Sequence, residues 1–145
     1  METKIVKGKK VNMSQIFMDD GKVVPVTKIK VIDDLDESFV DKDIVIVGKS
    51  KGKGFTGVMK KWGFAGVGEA TRGQSDSPRK PGSIGAQTPG RVLKGKHMAG
   101  RHGNKQVTLK GLKIAKVDLN AKELLVTGPI PGARNSNITV KVILS

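Results

Sequence analysis

The sequence predicts a mainly β protein, a small barrel or sandwich with one long basic, glycine-rich segment inserted into it. Short stretches rich in Val, Ile and Thr lie near both ends of the chain, and positive charge is concentrated in the middle. No stretch of ten or more residues repeats its apolar positions at the period of a helix. The length of 145 residues suits one domain of this kind.

Three strands are predicted in the first flank, residues 1–48. Residues 22–32 (KVVPVTKIKVI) alternate between apolar and polar positions, which is typical of a half-buried strand. The pair Asp20-Gly21 predicts a tight hairpin that joins this strand to residues 11–17. Pro25 has no N–H group and therefore favours a strand edge or a bulge. Residues 44–47 (IVIV) predict a short, fully apolar strand.

The second flank, residues 111–145, predicts three further strands. Residues 111–117 and 123–127 lie on either side of the turn sequence DLNA at residues 118–121. Residues 137–144 (NITVKVIL) alternate again. Six or seven short strands at this spacing indicate a small barrel or sandwich.

Charge divides the chain into three parts. Residues 1–48 carry 8 basic and 9 acidic side chains, and residues 111–145 carry 5 and 2. Residues 49–110, the basic segment, carry 14 basic and 2 acidic side chains and 13 of the 19 glycines. We therefore expect residues 1–48 and 111–145 to form one β domain, with residues 49–110 inserted in it.

The composition of the basic segment predicts a polyanionic partner. Ordering its backbone costs roughly 1–2 kcal/mol per residue, and its few large apolar side chains cannot offset that cost. The segment is then either a solvated flexible loop or a loop that a partner orders. Lys and Arg neutralise phosphates, and glycine lets the backbone approach phosphate and ribose closely. Because no helix suited to the DNA major groove is predicted, RNA is the favoured partner.

The composition also limits the chemistry. Without cysteine, the chain can form no disulfide, zinc–thiolate site, iron–sulfur cluster or thiol nucleophile. No apolar run approaches the ~20 residues of a membrane span. The N-terminal residues include lysines but no apolar signal core, so we expect a cytosolic protein.

Several near-matches to catalytic or ligand-binding motifs fail on context. Residues 52–57 (GKGFTG) fit G-x-G-x-x-G, but glycines interrupt the helix that a dinucleotide site needs. Residues 90–97 (GRVLKGKH) approach a P-loop, but His97 stands where Ser or Thr must hold magnesium. His97 and His102 lack nearby carboxylates, and the acidic residues 33–43 lack regular ligand spacing. We predict no enzyme, cofactor or metal site, and interpret residues 33–43 as a solvated turn.

Several specific motifs follow one another along nearly the whole chain. The longest are SKGKGF at residues 50–55, PGSIG at 81–85, TPGRV at 88–92, KGK at 94–96 and MAG at 98–100. Shorter ones are GKKV at 8–11, DG at 20–21 with VPVT at 24–27, GN at 103–104, KVD at 116–118, LLV at 124–126 and PG at 131–132. In this order, they resemble the motifs of the family of universal large-subunit ribosomal protein three.

The resemblance implies a fold and a function. The fold is a six-stranded β-barrel of the translation-protein type, from which a long basic loop penetrates the large-subunit rRNA. The loop tip approaches the peptidyl transferase centre, and the protein, itself not catalytic, supports early subunit assembly. The implied partners are large-subunit rRNA and neighbouring ribosomal proteins. No membrane or small-molecule substrate is implied, and the protein is a monomer within the cytoplasmic ribosome.

The residues expected to contact rRNA all lie in the basic segment. Its phosphate-pairing cations are Lys51, Lys53, Lys60, Lys61, Arg72, Arg79, Lys80, Arg91, Lys94, Lys96, Arg101 and Lys105. The other expected contacts are Gly52, Gly54, Trp62, Gly82, Ser83, Gly85, Gln87 and His97. For Trp62 two interpretations are open, stacking on a base and packing against the barrel.

The sequence departs from the family pattern at a few places. The family usually carries an extra mixed subdomain where residues 33–43 stand, so contacts made through it cannot be carried over. Asn12 replaces a usual glycine, and Arg72 and Pro78 stand where histidines are common. The tip around Gln87 is shorter than in many bacterial members. Gln87 matches a glutamine that some relatives methylate, which marks it as a candidate modification site.

Overall fold

Six strands close into an antiparallel β-barrel in the computed structural model, which describes residues 2–33, 35–68, 70 and 72–144. The strands of the chain are β1 (Glu2–Phe17), β2 (Val23–Val31), β3 (Asp43–Lys49), β4 (Gly54–Thr56), β5 (Gly100–His102), β6 (Gln106–Asp118), β7 (Glu123–Thr127) and β8 (Asn137–Leu144). The barrel order is β1-β2-β7-β6-β3-β8, and β8 pairs back onto β1. The predicted mainly β class with a six-stranded barrel is confirmed.

The β1–β2 hairpin forms where Asp20-Gly21 predicts it. Gly21 has a φ of 78°, a left-handed conformation that glycine adopts without steric cost, and its N–H donates to the Met18 carbonyl at 3.0 Å. Phe17 then pairs with Val23. Pro25 pairs with β1 but lies just outside the register of β2 with β7, which begins at Val26. The Pro25 carbonyl accepts the Gly128 N–H at 2.8 Å, so only the donor that proline lacks is missing from this end of the β2–β7 ladder.

β1 is longer than the sequence predicts, because it serves two neighbours. Its first half pairs with β8, from Glu2 to Lys9, and its second half pairs with β2, from Gly8 onward. At the overlap, Gly8 is buried, and a Cβ there would meet the Lys30 carbonyl oxygen at 2.7 Å. Only a residue without a side chain fits this close approach of two strands.

The barrel core consists of aliphatic side chains that alternate along each strand. On β3 these are Ile44 and Ile46, and on β8 they are Ile138, Val140 and Val142. The alternation follows from the period of two in a strand, which turns every second side chain inward. Burial of this face supplies the main stabilisation of the barrel.

Residues 32–33 and 35–42 form a short, packed connection between β2 and β3. A 3-10 helix, Glu37–Phe39, turns Phe39 into the core, where it is 1% exposed. The carboxylate of Asp33 accepts the Lys7 N–H at 2.7 Å, and Asp36 pairs with the Lys4 ammonium group. The interpretation as a solvated turn therefore misses one core side chain. Asp34 lies outside the described residues.

Two compact units can be distinguished in the chain. One comprises Met1–Lys51 and Asn104–Ser145 and contains the barrel, and the other is Gly52–Gly103, the glycine-rich unit. Within the barrel unit, the chain ends that lead to and from the other unit lie side by side, since the Ser50 N–H donates to the Lys105 carbonyl at 2.9 Å. β6 begins at Gln106 rather than at the predicted Gly111, so residues 106–110 are strand.

Candidate RNA-binding segment

The glycine-rich unit combines many cations with few carboxylates. It contains 10 basic and 2 acidic residues, Glu69 and Asp76. Asp76 is neutralised within the unit by Lys80, whose ammonium group lies 2.7 Å from the carboxylate. That hydrogen bond, with a second from Ser77, holds the pKa of the Asp76 carboxyl below its ordinary value. Glu69 lies outside the described residues. The surface of the unit therefore carries a large excess of positive charge.

Two short strands tie the ends of the unit together. β4 pairs antiparallel with β5, and Gly54 lies opposite His102. The Lys53 N–H donates to the His102 carbonyl at 2.9 Å. Thr56 is buried, with its hydroxyl 3.5 Å from the Gly100 carbonyl. These contacts fix the first and last residues of a segment that composition alone predicted to lack structure of its own.

A helix of little more than one turn follows β4. This helix, α1 (Val58–Trp62), ends at Gly63, whose φ of 76° and N–H bond to the Met59 carbonyl close its C-terminus. The motif GKGFTG thus opens into a short helix, but β4 is paired with the antiparallel β5 rather than with a parallel strand. The parallel strand–helix–strand context that a dinucleotide site requires is not formed by these elements.

Trp62 stacks on His97. The ring centroids are 3.9 Å apart at an interplanar angle of 5°, and the Trp62 Nε1–H donates to the Met98 carbonyl at 2.9 Å. The Lys61 ammonium group lies 5.2 Å from the centroid of the Trp62 ring. This arrangement joins α1 to residues 97–98, so Trp62 contacts its own unit, an outcome that neither interpretation from the sequence included. Aromatic stacking of this kind contributes about 0.5–1.5 kcal/mol beyond burial.

The described residues between Phe64 and Ala99 form turns and irregular backbone, without helix or strand. Gly82 and Gly90 have φ values of 76° and 68°, which L side chains rarely adopt. The Ser83 hydroxyl donates to the Gly85 carbonyl at 3.0 Å and closes a small local turn. Gln87 is exposed near the middle of this stretch.

Almost all of the predicted contact residues are accessible to a partner. The exposed members are Lys51, Gly52, Lys53, Gly54, Lys60, Trp62, Arg72, Arg79, Lys80, Gly82, Ser83, Gly85, Gln87, Arg91, Lys94, Lys96, His97, Arg101 and Lys105, and Lys61 is half-buried. Lys51 and Lys105 belong to the barrel unit, and the others belong to the glycine-rich unit. Their contacts with RNA stay a prediction.

Sequence reasoning missed a group of apolar residues in the glycine-rich unit that line one cavity. Val58 is 3% exposed, and Ile84 and Met98 lie near it on the wall of a cavity. Each is an isolated apolar residue in a polar stretch, so no periodicity marks it. The cavity forms because residues distant in the chain lie together, and composition does not predict which residues do so.

The described residues hold no group of three or more His, Cys, Asp or Glu side chains arranged to bind a metal ion. Among these same residues, no helix has both the length and the apolar character needed to cross a bilayer. The molecule is thus a basic β-barrel protein with a cation-rich inserted unit.

Comparison with known proteins shows the family of this chain. The family model for ribosomal protein L3 matches residues 1–128. The chain belongs to the ribosomal protein L3 family, as its motifs indicate, and this is a family of ribosomal proteins rather than of enzymes.

Three relatives show the extent of the similarity, and each is described as large ribosomal subunit protein uL3. The protein from Dehalococcoides mccartyi is 46% identical over 131 residues, which cover 89% of this chain and 62% of the relative. The protein from Buchnera aphidicola subsp. Baizongia pistaciae is 54% identical over 101 residues, or 69% and 47% of the two chains. The protein from Marinobacter nauticus is 52% identical over 105 residues, which cover 71% of this chain and 49% of the relative. The chain therefore matches less than two thirds of the length of these relatives.

Proposed function

We propose that the chain is a structural component of the large ribosomal subunit that binds 23S-type rRNA through residues 49–110. The observation that carries the proposal is the separation of charge between the two units. The glycine-rich unit has 10 basic and 2 acidic residues, and the barrel unit has 17 and 11. Family membership supports rRNA as the partner of this cationic surface, since the relatives are described as large-subunit proteins.

The proposed binding mode follows from the exposed groups. Lysine and arginine side chains such as Lys53, Arg72 and Arg91 neutralise phosphates, and the arginine fork binds two phosphate oxygens at once. Exposed glycines such as Gly82 and Gly95 have open space where a Cβ would stand. There the RNA backbone can approach the peptide directly, so the segment is suited to the narrow space between packed RNA helices.

The finer proposals follow the family resemblance. The protein supports early assembly of the subunit, acts as a monomer beside neighbouring ribosomal proteins in the cytoplasmic ribosome, and places its tip near the peptidyl transferase centre. The exposed turn around Gln87 is the proposed tip. Gln87 is also the proposed site of methylation, since its side chain is open to a modifying enzyme.

Chemical footprinting of large-subunit rRNA tests the proposed function. A structural ribosomal protein protects one compact set of nucleotides, whereas a nonspecific nucleic-acid chaperone gives scattered protection. We expect a compact footprint that includes nucleotides of the peptidyl transferase centre. Scattered protection, or saturable binding of ATP or NAD instead of RNA, would contradict the proposal.

Replacing Gln87 with Ala is expected to leave the free protein unchanged but to alter the ribosome. Because Gln87 is exposed, its loss changes the free energy of unfolding by less than about 0.5 kcal/mol. In the ribosome, rRNA would enclose this amide. Its loss would then leave an RNA polar group unpaired, at a local cost of about 1–3 kcal/mol. Thermal melting of the variant, with subunit maturation and sensitivity to peptidyl-transferase antibiotics, checks this. A large drop in melting temperature with normal ribosomes would place Gln87 in a folded core.

A further inference from the structure

An apolar cavity of about 460 Å³ lies within the glycine-rich unit. The apolar side chains on its wall are Val58, Pro81, Ile84 and Met98. Gly57 and Ala99 contribute small residues, and a Cβ at Gly57 would meet nothing within 4 Å. The cavity is thus open to solvent and large enough for a planar ring the size of a nucleobase.

One charged side chain, Arg79, also lines this cavity. Arg79 is exposed and forms no ion pair with the carboxylates of the described residues. A guanidinium group beside an apolar cavity can bind a phosphate while the attached base enters the cavity. An apolar side chain of a protein partner would fill the cavity but leave this cation without a counter-charge.

From this combination we propose that the cavity binds one unpaired RNA base, extruded from its helix, while Arg79 contacts the adjacent phosphate. The proposal rests on the proposed function and adds a recognition mode to it. RNA recognition commonly inserts splayed bases between protein side chains, since an unpaired base offers a large apolar face. Met98 suits such a site, because a thioether packs favourably against an aromatic ring.

Met98 connects the cavity wall to a spectroscopic reporter. Trp62 is the one tryptophan of the chain, and its Nε1–H donates to the carbonyl of Met98, which lines the cavity. A base that enters the cavity and contacts Met98 therefore contacts the residue that holds the Trp62 indole. We expect binding of such a base to change the emission of Trp62.

Three RNA hairpins that differ at one position test the proposal with the full chain. The first carries a single bulged adenosine, the second an abasic nucleotide at the same bulge, and the third is fully paired. We expect the adenosine bulge to bind about tenfold more tightly than the other two, since each stacked base contributes a factor of this order. The abasic and fully paired hairpins show how phosphate contacts alone change the Trp62 emission. The adenosine bulge should change the emission more than either of them.

Two variants and a control locate the effect. Ala99→Leu fills the cavity, and Ile84→Ala removes part of its wall, so each should reduce the preference for the adenosine bulge to about twofold or less. Leu93→Ala is the matched control, because Leu93 is exposed in the same unit and does not line the cavity. It should keep the tenfold preference. Ile84→Ala keeps the test valid where Ala99→Leu prevents folding.

The outcomes separate this proposal from the proposed function. Equal binding of all three hairpins, with steep salt dependence, would overturn the base site and leave rRNA binding in place. A preference that persists in both cavity variants would also overturn the base site. Failure to bind any of the hairpins or large-subunit rRNA would overturn both proposals.

Discussion

Raising the salt concentration from about 50 to about 200 mM is expected to weaken binding to large-subunit rRNA by about 10³–10⁵-fold, for ~6–10 neutralised phosphates. The reason is counterion release, because each lysine or arginine that pairs with a phosphate frees a cation condensed on the RNA. The exposed cations of the glycine-rich unit are numerous enough for this number of contacts.

Filter binding at several potassium chloride concentrations measures the slope of affinity against salt. As a control, potassium glutamate at equal ionic strength separates cation release from effects of the anion. A nearly flat response would mean that phosphate contacts supply little of the affinity, and the basic segment would not be the binding element.

Replacing Ile46 with Ala is expected to destabilise the barrel by about 2–5 kcal/mol, the usual cost of such a cavity in a packed core. Ile46 is fully buried on β3, between β6 and β8. A loss of this size is a large part of the stability of a small domain. Urea unfolding followed by far-ultraviolet circular dichroism measures the loss of the barrel strands, because the single tryptophan lies in the glycine-rich unit.

Ile5→Ala is the matched control for this substitution. Ile5 lies on β1 and is 55% exposed, so the same change should cost less than about 1 kcal/mol. A cost at Ile46 no larger than that at Ile5 would contradict the assignment of the β3 side chains to a shared core.

The sequence was most informative where a local rule decides the structure. Asp20-Gly21 predicts its hairpin because the turn needs a residue that accepts positive φ. The alternation in residues 137–144 predicts which side chains are buried because a strand has only two faces. These rules act over a few residues, so they can be applied without knowledge of the tertiary structure.

Features made by distant residues were not predictable in this way. The first half of β1 contains several lysines and shows little alternation, and it is a strand because β8 pairs with it. The stack of Trp62 on His97 joins positions far apart in a segment without periodicity. Residue types gave the charge and chemistry of the candidate site, but its internal packing depends on the fold.

Two variants that lose the same positive charge from different units show most directly whether residues 49–110 carry RNA binding. In the first, exposed cations of the glycine-rich unit become Gln: Lys53, Lys60, Arg72, Arg91, Lys94 and Lys96. In the second, exposed barrel lysines become Gln: Lys7, Lys9, Lys30, Lys113, Lys116 and Lys141. Because net charge is equal in the two proteins, a difference in affinity for large-subunit rRNA reports the position of the charges.

The first variant should lose about 100-fold or more in affinity and show a shallower salt dependence, since it loses phosphate contacts. The second variant should lose less than about tenfold and keep the slope of the unmodified chain. Circular dichroism must show both proteins folded, since the substituted side chains are all exposed. Equal losses in the two variants, or a larger loss in the barrel variant, would contradict the claim that residues 49–110 carry RNA binding.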